Sequence, residues 1–177
     1  MGTGRVEQQI FMVGTGGQGI LLLARALSEL ASRSGQKVIS SETHGMAMRG
    51  GTVTASLKIG DFESPLIPVG CADILIGLDE TEASQYLSML TEGGISIVNT
   101  PSAMGFDHTI DATGKALELG APGSVNMIML GLTLKVMGYS LGEAHGIVSE
   151  ISPERALKTN LLCIDYGFGR APTNTDT

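Results

Sequence analysis

The first apolar segment of the chain is followed by glycines and then by a helical pattern. Residues 9–13 form a short apolar run, which suits a strand buried on both faces. Apolar residues then recur at helical spacing over residues 20–34, and Gly35 provides a C-terminal stop. Residues 37–40 predict a second buried strand. The order strand, glycine turn, helix, strand indicates a right-handed βαβ unit with parallel strands.

The middle of the chain predicts further strands. They are expected at residues 52–59, where apolar and polar residues alternate, and at 72–78, 95–99 and 109–112. Asp79 and Glu82 have the spacing of a capping box, which predicts a helix reaching about residue 90. The pair Gly93-Gly94 should end that helix.

The last third is predicted to be helical, over residues 124–137, from Ser140 onward, and from residues 152–154 onward with Pro153 in the first position. The first of these helices is apolar on most of its circumference, so it must be buried in a core or in a subunit interface. We therefore predict one Rossmann-like, doubly wound α/β domain over residues 1–170. It has a mostly parallel sheet, helices on both faces and a helical C-terminal portion, and a frayed polar tail follows at 171–177.

The composition of the chain excludes several classes of function. The 177 residues include 11 Lys and Arg against 18 Asp and Glu, a formal charge of -7, so nucleic acid is not an expected partner. Cys71 and Cys163, the two cysteines, cannot hold an iron-sulfur cluster by themselves and are expected to be reduced, buried apolar residues. With no secretory leader or membrane span apparent, we expect a cytoplasmic protein without membrane contact.

The glycine turn at residues 14–19 is the first candidate site. Backbone N–H groups and a helix N-terminus can hold a phosphate there without any lysine. Gly14, Gly16 and Gly19 match the spacing of the dinucleotide fingerprint, and Glu42 follows where an acid would bind a ribose hydroxyl. The alternative is that the glycines only allow the chain to turn sharply from strand to helix.

The second candidate site is the segment at residues 41–51, which is expected to leave the second strand at the same edge of the sheet as the glycine turn. It carries Glu42, His44 and Arg49, with Met46 and Met48 between them. Arg49 would pair with a phosphate or carboxylate, or else with Glu42 or a neighbouring subunit. His44 is expected to contact a partner subunit rather than to act as an acid or base. No catalytic residue and no metal site are predicted.

These two segments resemble a known family. The sequences Gly14-Thr15-Gly16-Gly17-Gln18-Gly19 and Ser41-Glu42-Thr43-His44-Gly45-Met46-Ala47-Met48-Arg49-Gly50-Gly51 are similar to the gamma subunit or domain of the 2-oxoacid:ferredoxin oxidoreductases. The closest likeness is to the small (beta) subunit of the indolepyruvate enzymes, and it continues through residues 64–68, 72–75, 82–83 and 160–161.

The resemblance implies a subunit of an enzyme that decarboxylates a 2-oxoacid on thiamine diphosphate and forms an acyl-coenzyme A, with ferredoxin reached through the complex. Thiamine diphosphate, Mg and iron-sulfur clusters are expected on partner subunits, with coenzyme A as a candidate ligand here. The positions carried over are Gly14, Gly16, Gly17, Gln18, Gly19, Glu42, His44 and Arg49.

Three alternatives stay open at this point: a free-standing dinucleotide-binding protein, a gamma subunit of a pyruvate or 2-oxoglutarate enzyme, and a purely structural subunit. The isolated chain is expected to be able to form a homodimer.

Overall fold

The computed structural model describes residues 7–44, 51–102 and 105–170, with the backbone alone for His44. The strands are β1 (Gln8–Thr15), β2 (Val38–His44), β3 (Thr52–Ile59), β4 (Ala72–Gly77), β5 (Leu90–Asn99) and β6 (His108–Ile110). The helices are α1 (Ile20–Arg33), α2 (Glu80–Gln85), α3 (Ala112–Glu118), α4 (Val125–Val136), α5 (Leu141–Ile151) and α6 (Glu154–Phe168). Short 3-10 turns lie at Leu87–Met89 and Pro122–Ser124.

The six strands form one mixed sheet in the order β2-β3-β1-β4-β5-β6. β1, β4, β5 and β6 pair in parallel, whereas β3 is antiparallel to both of its neighbours. The predicted α/β fold with a mostly parallel sheet is confirmed. The simple βαβ unit is wrong in one respect, because β3 lies between β1 and β2. The connection from β2 to β3 is short, and a short connection favours antiparallel pairing.

The two faces of the sheet are covered unequally. Alternate residues of β1, such as Ile10 and Met12, face the main core together with α1, α3, α4, α5 and α6. Phe11 and Val13 face a smaller core that is closed by α2, the Leu87–Met89 turn and the loop at residues 60–71. Helices therefore lie on both faces as predicted, but the long ones share one face.

Helix α4 lies in the interior of this chain. Its residues from Asn126 to Leu134 are buried, with the sheet on one side and α6 on the other. The helix is apolar all round because it is covered all round. Its burial is therefore explained by the core of this chain. Among the described residues, no helix is long and apolar enough to cross a membrane.

Several predicted boundaries are wrong. The strand predicted at residues 109–112 is His108–Ile110, because Asp111 caps α3, and Pro153 precedes α6 as its N-cap instead of occupying its first position. β2 continues to His44 and is a half-exposed edge strand, so Glu42 belongs to a strand and not to a loop. Helix α2 ends at Gln85, and the pair Gly93-Gly94 lies inside β5 instead of ending a helix. Gly93 has a φ of 79°, and the pairing of β4 with β5 shifts register at this place. The glycines therefore form an irregularity in a strand.

Candidate functional site

The glycine turn lies at the edge of the sheet where β1, β4 and β5 end. It connects the last residues of β1 to the first residue of α1, Ile20. The Gly16 N–H donates to the Gly51 carbonyl at 2.9 Å, so the turn is fastened to the residue that precedes β3. This hydrogen bond joins the two segments that the sequence singles out. In open α/β sheets, ligands bind at this edge, beyond the carboxyl ends of the strands.

Gln18 holds the turn together from the inside. Its Oε1 accepts the Thr15 N–H at 2.7 Å, and its Nε2 donates to the Leu78 carbonyl at 3.2 Å. Both ends of the side chain are thus engaged within the fold. Gln18, carried over as a binding residue, is placed as a brace between β1 and β4.

The glycines of the turn differ in what surrounds them. A Cβ on Gly14 would lie 2.6 Å from Gln18 Oε1, and a Cβ on Gly19 would lie 2.9 Å from Asn126 Cγ. Gly19 also has a φ of 84° as the N-cap of α1, a conformation that favours glycine. Gly17 has a φ of 96° and no atom within 4 Å of an added Cβ. Gly17 therefore faces open space at the outside of the turn.

Asn99, at the end of β5, is a site residue that sequence reasoning missed. Its Nδ2 donates to the Leu78 carbonyl at 3.0 Å and to Thr113 Oγ1 at 2.9 Å. Its Oδ1 accepts the N–H groups of Ala112 and Thr113 at 2.9 and 3.2 Å. The Leu78 carbonyl thus receives both Asn99 and Gln18, so the ends of β1, β4 and β5 are locked together. An asparagine at a strand end is the one sequence signal for this role.

The carboxylates after β4 have structural partners. Asp79 Oδ1 accepts the Glu82 N–H at 3.0 Å and caps α2, as predicted. Glu82 does not complete a capping box, because its carboxylate accepts the Thr52 hydroxyl at 2.9 Å. Glu80 in the same way accepts the Thr100 hydroxyl at 2.6 Å. These contacts order the edge of the sheet and give the carboxylates no catalytic arrangement.

The other predicted site residues lie farther out or beyond the described part. Glu42 is exposed on β2 opposite Ala55 of β3. Because neighbouring strands are about 4.8 Å apart, β2 lies about 10 Å from β1. His44 ends β2, and its side chain is outside the described residues, as is the whole of Arg49.

The remaining reactive groups show no catalytic grouping. Cys163 is buried in the main core, and burial raises the pKa of its thiol, which disfavours the nucleophilic thiolate. Cys71 is half-buried beside the smaller core, and both cysteines are free. His145 pairs with Asp165 at 2.6 Å on the outside of α5 and α6. Within residues 7–44, 51–102 and 105–170, no three His, Cys, Asp or Glu side chains come together as metal ligands do.

Solved structures identify the class of protein to which this fold belongs. The chain superposes with a TM-score of 0.78 on pyruvate oxidoreductase subunit PORC from Thermotoga maritima, with 26% identity over 93% of this chain and 96% of that one. The TM-score is 0.79 with 2-oxoglutarate:ferredoxin oxidoreductase from Magnetococcus marinus, a structure with 2-oxoglutarate, coenzyme A and succinyl-CoA bound. There the identity is 20%, and this chain corresponds to 32% of a longer chain. The fold is that of an oxidoreductase subunit.

The chain belongs to the pyruvate ferredoxin/flavodoxin oxidoreductase family, whose model matches residues 9–170. It is 45% identical to indolepyruvate oxidoreductase subunit IorB of Archaeoglobus fulgidus, over 92% of this chain and 94% of that protein. It is 24% identical to 2-oxoglutarate synthase subunit KorC of the same organism, over 94% of this chain. The family suggested by the two loops is confirmed, and the chain is a subunit of a 2-oxoacid:ferredoxin oxidoreductase.

Proposed function

We propose that this chain is the gamma-type subunit of an enzyme that oxidatively decarboxylates indolepyruvate to an acyl-coenzyme A and reduces ferredoxin. The identity of 45% to an indolepyruvate oxidoreductase subunit, over nearly the whole of both chains, carries this proposal. The identities to subunits of 2-oxoglutarate and pyruvate enzymes are lower, for example 24% and 34%. The partners would be the subunits that bind thiamine diphosphate and iron-sulfur clusters.

The contribution of this chain to the reaction is proposed to be the coenzyme A side of the active site. The first intrahelical bond of α1 runs from the Leu23 N–H to the Gly19 carbonyl at 3.1 Å. The N–H groups at the start of the helix therefore point out of its end, where an anion is stabilised by the helix dipole. The open position of Gly17 leaves room for a phosphate group to approach these N–H groups.

The described residues do not suit an iron-sulfur cluster or the magnesium ion of thiamine diphosphate. Cys71 and Cys163 belong to different cores, so they cannot be ligands of one cluster. No cluster of three or more His, Cys, Asp or Glu side chains that could hold a metal ion is present among the described residues. The decarboxylation and the electron transfer are therefore assigned to the partner subunits. The two free cysteines suit the reducing cytoplasm that we propose as the location.

The geometry does not favour the dinucleotide alternative. In a dinucleotide site, the acidic residue ends the strand next to the glycine turn. Here that neighbouring position is occupied by β3, and Glu42 lies one strand farther out. Titration of the full chain with NAD and NADP is expected to show no saturable binding at micromolar concentrations.

Introducing a charged side chain in place of Gly17 tests whether coenzyme A binds at the turn. Gly17→Glu and Gly17→Gln place side chains of equal size on the same left-handed backbone, so they differ only in charge. A carboxylate within a few ångströms of a phosphate costs about 1 to 3 kcal/mol, so the assembled Glu variant should have a KM for coenzyme A about tenfold above that of the Gln variant. The KM for the 2-oxoacid should be equal in both. Equal KM values for coenzyme A would place that ligand elsewhere.

An exposed apolar surface on the thinly covered face is proposed to contact a partner subunit of the enzyme. Leu66 and Val69 are 69% and 70% exposed on the loop at residues 60–71. The 3-10 turn is adjacent to this loop, because the Gly70 N–H donates to the Ser88 carbonyl at 2.9 Å. Leu87 on that turn is also exposed. Exposed apolar side chains on neighbouring loops are a surface that a partner subunit can bury.

Reconstitution with the thiamine-diphosphate-binding subunit tests this surface. The chain alone should show no 2-oxoacid-dependent dye reduction, and the complex should show it. The double variant Leu66→Ser, Val69→Ser should weaken association by about tenfold or more, because two apolar side chains are lost from the interface. Leu117→Ser, also at a largely exposed leucine but on α3 at the other face, serves as the control. An unchanged association constant for the double variant would remove this surface from the interface.

A further inference from the structure

Asn126 is a buried polar residue beside the glycine turn. It lies in the first turn of α4 and keeps only 5% of its surface exposed. Its side-chain amide is packed against Gly19, where an added Cβ would lie 2.9 Å from Asn126 Cγ and 3.3 Å from its Cβ. The absence of a side chain at Gly19 is therefore what allows this amide to reach the N-terminus of α1.

The amide of Asn126 has no hydrogen-bond partner among the residues that the structure describes. The two other asparagines that are buried in the described part of the chain form hydrogen bonds through both ends of the side-chain amide. Asn99 makes the four bonds given above, and Asn160 bonds Ser124 at 3.0 Å and Ser152 at 2.9 Å. A nearly buried amide without a protein partner is unusual, and a ligand group that reaches it would gain a hydrogen bond of about 1 kcal/mol.

The nitrogen end of this amide faces Gly19, since Nδ2 is the atom nearest the position of an added Cβ there. Over the described residues, only the Thr133 hydroxyl is both fully enclosed and without a partner. The Asn126 amide is therefore not wholly enclosed, in keeping with the 5% of the residue that stays exposed. Helix α1 has 14 residues, and its N-cap provides no side chain to occupy the helix end. A donor amide and a free helix N-terminus thus converge on one position.

We infer that Asn126 is a positioning residue that donates a hydrogen bond to an oxygen of an anionic ligand group bound at the N-terminus of α1. This inference rests on the proposed function, in which that group is a phosphate of coenzyme A. Charged oxygens take such hydrogen bonds strongly, and the helix end supplies the complementary positive potential. The site would bind the phosphate group through one side chain and the backbone N–H groups.

Replacement of Asn126 by aspartate separates a binding role from a structural one. Asn126→Asp keeps the shape of the side chain but places a carboxylate where the phosphate oxygen would lie. A carboxylate is favoured at a helix N-terminus but disfavoured by burial, so the Tm of the ligand-free full chain should change by only a few degrees. In the assembled enzyme, the KM for coenzyme A should rise about tenfold or more, because a charge-assisted bond is lost and a repulsion is added. The KM for the 2-oxoacid should not change.

Two further variants complete the test. Asn126→Ala removes the donor without adding charge and should raise the KM for coenzyme A about fivefold, less than the aspartate. Thr133→Val, at the other unpartnered polar residue of α4, should leave that KM unchanged. If the Asn126 variants leave the KM for coenzyme A unchanged while Gly17→Glu raises it, the role of Asn126 is overturned and the proposed site stands. If Gly17→Glu has no effect either, the proposed coenzyme A site itself fails.

Discussion

Alanine at position 167 is expected to lower the free energy of unfolding by about 3 kcal/mol, the upper part of the range for overpacked cores. Helices α4 and α6 meet backbone to backbone. A Cβ on Gly167 would overlap the Ile128 carbonyl and lie 3.0 Å from the Leu132 nitrogen. These are main-chain atoms inside a helix and cannot move away as a side-chain end does. For a chain of this size the Tm should fall by roughly 6 to 12 °C.

Gly146 provides the matched control for this prediction. It lies inside α5, and no atom is within 4 Å of an added Cβ. Gly146→Ala should leave stability unchanged or raise it by about 0.5 to 1 kcal/mol, because alanine favours the helix more than glycine does. Urea denaturation of both variants, with equal m-values, is the measurement. A Gly167→Ala variant as stable as wild type would show that the two helices can separate at no cost.

Removal of the Asn99 side chain is expected to cost about 3 kcal/mol, because it leaves buried main-chain groups without partners. Asn99→Ala would leave the N–H groups of Ala112 and Thr113, at the start of α3, without their acceptor. It would also remove a donor from the Leu78 carbonyl. Since Gln18 shares that carbonyl, the glycine turn should also loosen. Hydrogen exchange at the Thr15 amide, which Gln18 protects, should become faster.

The control for Asn99 is Thr113→Val. This change preserves the shape of the side chain and removes only the bond between Asn99 Nδ2 and Thr113 Oγ1. It should cost about 1 kcal/mol, the net contribution of one hydrogen bond, and should not affect exchange at Thr15. Similar losses for both variants would mean that Asn99 does not connect α3 to the turn.

The α/β class of the fold could be predicted because its signals are local. The apolar run of β1, the glycines after it and the helical period of α1 lie next to one another in the chain. Strand order is not local. The insertion of β3 between β1 and β2 depends on its pairing with β1, which is distant in sequence. The alternation in residues 52–59 predicts a half-exposed strand but does not identify its neighbours, and in the sheet no residue of β3 is exposed.

Some residues of the candidate site also have local sequence signals, and others do not. The spacing of the glycines predicts the turn, because tight turns need glycine where φ is positive. Asn99 and Asn126 were not found, since each is a single asparagine whose role comes from residues distant in sequence. Gln18 was found, but its side chain stabilises the turn from within, a distinction that only the positions of Thr15 and Leu78 reveal.

The place of β3 in the sheet also affects the order in which the protein is made. β1 pairs with β3 and β4, and β2 pairs with β3, so neither β1 nor β2 has a hydrogen-bonded partner strand until Thr52–Ile59 is available. A growing polypeptide that has left the ribosome only as far as His44 contains two strands that cannot pair in the native way. Once β3 has emerged, the first native sheet contact can form between β2 and β3 across their short connection, whereas the pairing of β1 with β3 closes a longer loop at an entropic cost that slows folding. Until then, the apolar residues of α1 and β1 are exposed and prone to incorrect association.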